Sequence, residues 1–164
     1  MSPAPTSSPA VRPAPGRTAR TAATAATAAA VVAVAVHLWG LYRDHGPPSV
    51  GWFPQADKLE HLVGFGLPCF LVLLALHLHV AAAGRLLAAR TVGLVVGLFV
   101  LHAVVSEIVQ GDFYTTRSGD PYDALADVTG TLLGLGAYVV LRRRSSTVGA
   151  EPGRTTGRTA HGGA

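Results

Sequence analysis

Charge is what this chain has least of: Asp, Glu, Lys and Arg make up 13% of its 164 residues, about half the ~25% of an average soluble domain. With 49% of residues hydrophobic, too little polar surface is left to cover a water-soluble core, which excludes an ordinary soluble globular class. Cysteine is nearly absent. Cys69 has nothing in the chain to pair with, and it falls inside an apolar run, as a small packing group does. No nucleophile elbow, phosphate-binding loop or HExxH pair is present, and no internal repeat emerges.

Long apolar sequence is abundant instead. Four runs, roughly 22–42, 59–80, 91–110 and 124–141, come close to the ~20 residues a helix needs to cross a bilayer. The expected architecture is therefore all-α, a four-transmembrane-helix bundle over residues 21–144. The flanks, 1–20 and 145–164, are rich in Pro, Ser, Gly, Thr and Arg and read as disordered tails. The first run opens weakly, on Ala and Thr. A cleaved signal peptide is the competing reading of this end, but the run is long for one, and Trp39 to Tyr42 looks like an interfacial anchor.

The net charge of +4 comes from residues placed as a membrane protein places them, which argues against nucleic acid. Arg12, Arg17 and Arg20 precede the first run, Arg85 and Arg90 separate the second and third, and Arg142, Arg143, Arg144, Arg154 and Arg158 follow the fourth. Arg43, Lys58 and Arg117 fall on the alternate side. The positive-inside rule then puts both termini in the cytoplasm of a plasma (inner) membrane protein. Trp39, Tyr42, Trp52, Phe53, Phe113, Tyr114 and Tyr122 gather at the opposite, outer boundary.

The acids and histidines lie at that same boundary. Asp57, Lys58, Glu60 and His61 open the second run, Glu107 and Gln110 close the third, and Arg117, Asp123 and Asp127 lead into the fourth. His37 has a similar depth in the first. Each of these rides a stripe of mostly small residues. The stripes are Ala26, Ala30, Ala33, His37; Asp57, His61, Gly64, Pro68; Gly93, Gly97, Val100, Val104, Glu107; and Asp123, Asp127, Gly130, Gly134. Small residues let helices approach closely in lipid, so Gly93, Gly97, Gly130 and Gly134 are the expected packing positions. Turning one ionised acid toward lipid costs about 3 kcal/mol on insertion scales, so the polar groups are expected to face inward. They would form an outward-opening pocket of His37, Asp57, Lys58, His61, Glu107, Gln110, Arg117, Asp123 and Asp127. A bland alternative makes them helix latches. His77 and His79 read as interfacial, and His102 as a core histidine with one partner.

As metal ligands, His37, His61, Glu107 and Asp127 come from four separate runs without paired spacing. The sequence assigns no metal and names no cofactor. Acids, histidine and arginine together suffice for general acid/base chemistry or for gripping a phosphate.

The set Asp57-Lys58-x-x-His61, Glu107-x-x-Gln110, Arg117 and Asp123-x-x-x-Asp127-x-x-Gly130 resembles the VanZ-like family of bacterial membrane proteins, over about residues 55–136. That family is named for a protein that raises resistance to a glycopeptide antibiotic. Asp127 departs from the pattern, whose usual residue there is Asn; the change adds an ionisable acid to the pocket. The resemblance implies a protein whose pocket binds a cell-envelope component: an envelope lipid head group, a cell-wall precursor or a glycopeptide. On this reading Arg117 and Lys58 hold anionic parts, and Glu107, Gln110, Asp123 and His61 take hydroxyls or amines. Two rivals are an enzyme acting on an envelope lipid, with His61 or Glu107 as base, and a structural or accessory membrane subunit.

Overall fold

The computed structural model describes residues 16–43, 56–115 and 119–148. They form four helices: α1 (Arg17–Tyr42), α2 (Ala56–Ala82), α3 (Ala89–Phe113) and α4 (Pro121–Val148). All four are long and apolar enough to cross a membrane. At 25 to 28 residues and 1.5 Å per residue each is roughly 40 Å long, against a hydrocarbon core of about 30 Å. Their end turns therefore reach the head-group region. Two tail boundaries need correction. Residues 17–20 are the first turn of α1, where Arg and Ala are good helix formers, and α4 runs past residue 144 through Ser145, Ser146 and Thr147 to Val148, with no Pro or Gly to break it. The rest of both expected tails, and Arg117, lie outside the described residues.

Local chemistry sets the helix ends. Pro121 opens α4, where a missing N–H is no loss. Asp120 before it caps the helix: its Oδ1 accepts from Tyr122 N–H at 2.8 Å, and its carbonyl accepts from the N–H groups of Asp123 and Ala124. α2 ends at a left-handed Gly84 (φ 67°), with Gly84 N–H donating to Ala81 O and Arg85 N–H to Val80 O, both at 2.8 Å. These two bonds are the Schellman pattern. An alanine at 84 must adopt the left-handed conformation at a cost of about 1 kcal/mol. Gly84→Ala is thus expected to lower the unfolding midpoint in detergent modestly without changing helix content.

The helices run up and down, α2 at the centre against α4 and α1, and α3 against α4 and, less extensively, α2. The α2–α4 crossing is the tightest. A Cβ on Gly130 would strike the Leu62 carbonyl, one on Gly134 the Gly66 carbonyl, and one on Gly66 would come within 2.8 Å of the Gly130 carbonyl. Gly130 and Gly134 therefore pack helices, with Gly66, which the stripes left out, as their counterpart. Gly93 and Gly97 make no such contact: both are exposed, and an added Cβ at either meets nothing within 4 Å among the described residues. The inward face of α3 is instead Ala103, Ser106, Glu107 and Gln110, with Phe99 packed behind, while Val104 is exposed. Counting back from Glu107 by four reaches the buried Ala103, whereas counting back by three reaches Val104. The expected stripe was a rotation of the helix by about one position.

Away from the acids, a core of Cys69, Leu73, Leu87 and Tyr138 fills the bundle. His79 Nε2 meets Thr27 Oγ1 at 2.8 Å, and His77 Nδ1 meets the Tyr138 hydroxyl at 3.5 Å. These two histidines tie α2 to α1 and to α4.

Candidate functional site

At the opposite end of the bundle, side chains from α2, α3 and α4 meet in one charged cluster. Lys58 Nζ donates to Asp120 Oδ2 at 2.7 Å and Asp123 Oδ1 at 2.5 Å, and pairs with Asp57 Oδ2 at 3.2 Å. One turn deeper, His61 Nδ1 lies 2.9 Å from Asp127 Oδ1, and its Nε2 lies 3.8 Å from Asp123 Oδ2. From α3, Glu107 Oε2 accepts from the Asp120 backbone N–H at 2.9 Å. Gly119 makes that contact possible, since a Cβ there would come within 2.5 Å of the Glu107 carbonyl. Asp127 is fully buried and Glu107 is 7% exposed. Among the described residues, Asp127 Oδ2 and Glu107 Oε1 are buried without any hydrogen-bond partner.

Of the nine expected pocket residues, Lys58, His61, Glu107, Asp123 and Asp127 come together. Asp57 is 61% exposed at the rim and touches Lys58. Lys58 is already held by three carboxylates, so it is not the free cation expected to grip an anion. Gln110 is 2% exposed and turned to α1, where its Nε2 donates to Leu41 O at 3.3 Å; beside it Tyr114 OH donates to Tyr42 O at 2.8 Å. Both bonds serve carbonyls that the end of α1 leaves without helical partners. Arg117 lies outside the described residues.

Asp120 is not among the nine expected pocket residues, although an acid directly before a helix-opening proline is a legible cap signal. It binds three elements at once: its own helix, Lys58 of α2 and Glu107 of α3. The Lys58 ammonium, then the Tyr122 N–H, hold its carboxyl below the usual carboxylate range. A depressed folded value adds stability that is present above the unfolded value of about 4 and is lost as pH falls through the folded one. Asp120→Asn, which keeps a good cap, is expected to be less stable than wild type at neutral pH. The gap should close on acidification below about pH 4, read from unfolding curves in detergent across pH.

His37 sits apart from the acids in a second polar node. Its Nε2 lies 3.4 Å from His102 Nδ1, and His102 Nε2 lies 3.0 Å from the Tyr42 hydroxyl. The His37 ring also packs edge-on against Phe65. His102 thus has two partners where the sequence suggested one.

A groove of about 940 Å³ runs between α1 and α2 and connects the two nodes. Its walls are Ala28, Ala29, Val32, Ala33 and Val36 on one side and Val63, Gly64, Leu67, Pro68 and Leu71 on the other. His37, Arg43, Glu60 and His61 line it as well, the last two and Arg43 toward the charged end. From Leu59 to Leu71 it is about 18 Å long, more than half the ~30 Å hydrocarbon thickness. No protein-family model matches the chain, and no curated protein or solved structure is similar to it. Its function is therefore read from this site.

Proposed function

We propose that this chain is a VanZ-like multi-pass protein of the plasma membrane that binds an amphipathic cell-envelope component. The apolar part would lie in the α1–α2 groove and the polar head at the charged cluster. One observation carries the reading: His61 belongs to both, lining the apolar groove and pairing with buried Asp127. Helix latches alone need no such groove. The volume is within the ~300–1,000 Å³ of small-molecule sites, and groove walls facing hydrocarbon favour a lipid or lipid-linked precursor over a water-borne glycopeptide. Because Lys58 is already held by carboxylates, the head group is one that offers hydroxyls or amines rather than a bare anion. The arginine distribution supports placing the charged end on the outer side.

Filling the groove tests this. With a photoactivatable lipid carrying a sugar head group, wild type is expected to crosslink on α1 and α2, and Ala33→Trp to lose about tenfold of the signal, some 1.4 kcal/mol. Equal crosslinking in the two proteins would sink the proposal. The enzyme reading has one observation in its favour, the His61–Asp127 pair, which is how an acid orients a catalytic base. Two buried hydroxyls of the bundle are committed to backbone: Ser106 Oγ donates to Ala103 O at 3.0 Å and Thr131 Oγ1 to Asp127 O at 2.9 Å.

A further inference from the structure

We infer that His61, Glu107 and Asp127 hold a divalent cation. The inference rests on the reading of this cluster as a binding pocket and adds to it an ion that the sequence spacing gave no reason to expect. Each residue contributes one ligand atom, and the three atoms lie within 4.8 Å of one another. They come from three helices, which is why no linear motif announces them.

Proximity of acids alone would not carry this; the unmet oxygens do. Asp127 Oδ2 and Glu107 Oε1 are both buried, and neither has a hydrogen-bond partner among the described residues. A buried carboxylate oxygen without a partner is strongly unfavourable, and two of them in one cluster are more so. The described cations do not answer this need. Lys58 is held by Asp57, Asp120 and Asp123, and one imidazole faces both Asp127 and Asp123. A divalent ion would neutralise Glu107 and Asp127 together.

The donor set selects the class of ion. One imidazole nitrogen and two carboxylates suit Zn²⁺ or Mn²⁺, whereas a soft ion such as Cu⁺ prefers sulfur, and Cys69 lies in the core with Leu73, Leu87 and Tyr138. Ligand atoms around a tetrahedral zinc with bonds of about 2.0–2.1 Å stand roughly 3.4 Å apart. The set closes on an ion by side-chain movements on the order of 1 Å. Three protein ligands leave a coordination position open, as in sites where a metal meets a substrate. Hydroxyl oxygens of the proposed head group would suit it.

The experiment uses untagged full-length protein in detergent, stripped with chelator, dialysed against Zn²⁺ or Mn²⁺ and analysed by inductively coupled plasma mass spectrometry. Wild type is expected to retain about one ion per chain. Asp127→Asn and Glu107→Gln, near-isosteric changes that each remove a ligand carboxylate, are expected to weaken affinity by about 100-fold or more, at or beyond the roughly 10–100-fold that losing a partner behind a ligand costs, while Gly93→Ala retains the ion. The helical circular dichroism and monodispersity of each variant establish that it is folded. A folded wild type that retains neither ion overturns the inference. So does undiminished binding in both carboxamide variants. Lipid crosslinking on the same samples separates the two proposals: lipid without metal overturns the ion alone, and metal without lipid overturns the groove reading alone.

Discussion

Gly130→Leu is expected to destabilise the bundle by about 3 kcal/mol, one of the two largest effects of a single substitution here. Even a Cβ at this position strikes the Leu62 carbonyl, which belongs to helix backbone and cannot rotate away as a side chain can. α2 and α4 must separate, and the separation pulls His61 and Lys58 away from Asp127, Asp123 and Asp120, because these partners sit on the two helices being parted. The damage therefore extends to the charged cluster a turn or two away. Gly93→Ala supplies the contrast. An added methyl there meets nothing within 4 Å among the described residues, so only helix propensity changes, by up to about 1 kcal/mol in the stabilising direction. Reversible unfolding in mixed detergent measures both. If the two variants lose equal stability, the tight α2–α4 crossing is not the one described.

His61→Leu is the second large effect, expected at about 3 kcal/mol or somewhat more. Asp127 has no exposed surface, its Oδ1 meets His61 at 2.9 Å, and its Oδ2 has no partner among the described residues. Removing the imidazole leaves an uncompensated acid in the bundle, whereas removing both members does not. The double variant His61→Leu/Asp127→Asn is accordingly expected to recover about 1–2 kcal/mol of that loss. Additive losses would show that the two side chains do not interact. The same cycle separates the latch reading from the pocket reading. A latch replaced by well-packed neutral groups preserves function, whereas a binding cluster loses its ligand even when stability returns.

Two residues show what was legible before the fold and what was not. Asp127 was identified as buried and polar from its depth in an apolar run, and it is fully buried. Its partner could not be named, because His37, His61, Lys58 and Arg117 all lay at similar depth and only the helix rotations distinguish them. Lys58, beside Asp57 and Glu60 in sequence, was expected to hold an anionic part of a ligand. In the structure Asp120, from the loop before α4, takes that role. Pairing across 62 residues of sequence leaves no local trace.

Hydropathy, and with it the number and approximate length of the spans, was determined by the sequence alone. In hydrocarbon most backbone polar groups are satisfied within their own helix, so span length and a local cap such as Asp120 before Pro121 follow from neighbouring sequence, whereas the last carbonyls of α1 are met across the bundle by Gln110 and Tyr114. Which face of each helix turns inward was decided by the tertiary structure. A span that is apolar all round, as α3 is with Leu94, Leu98, Leu101 and Val104 exposed, is not oriented by the hydrophobic effect, since lipid and protein interior are equally apolar. Close fit at Gly66, Gly130 and Gly134, and the pairing of charges at the ends of α2, α3 and α4, set the rotations instead. Those same contacts bring His61, Glu107 and Asp127 together from three helices.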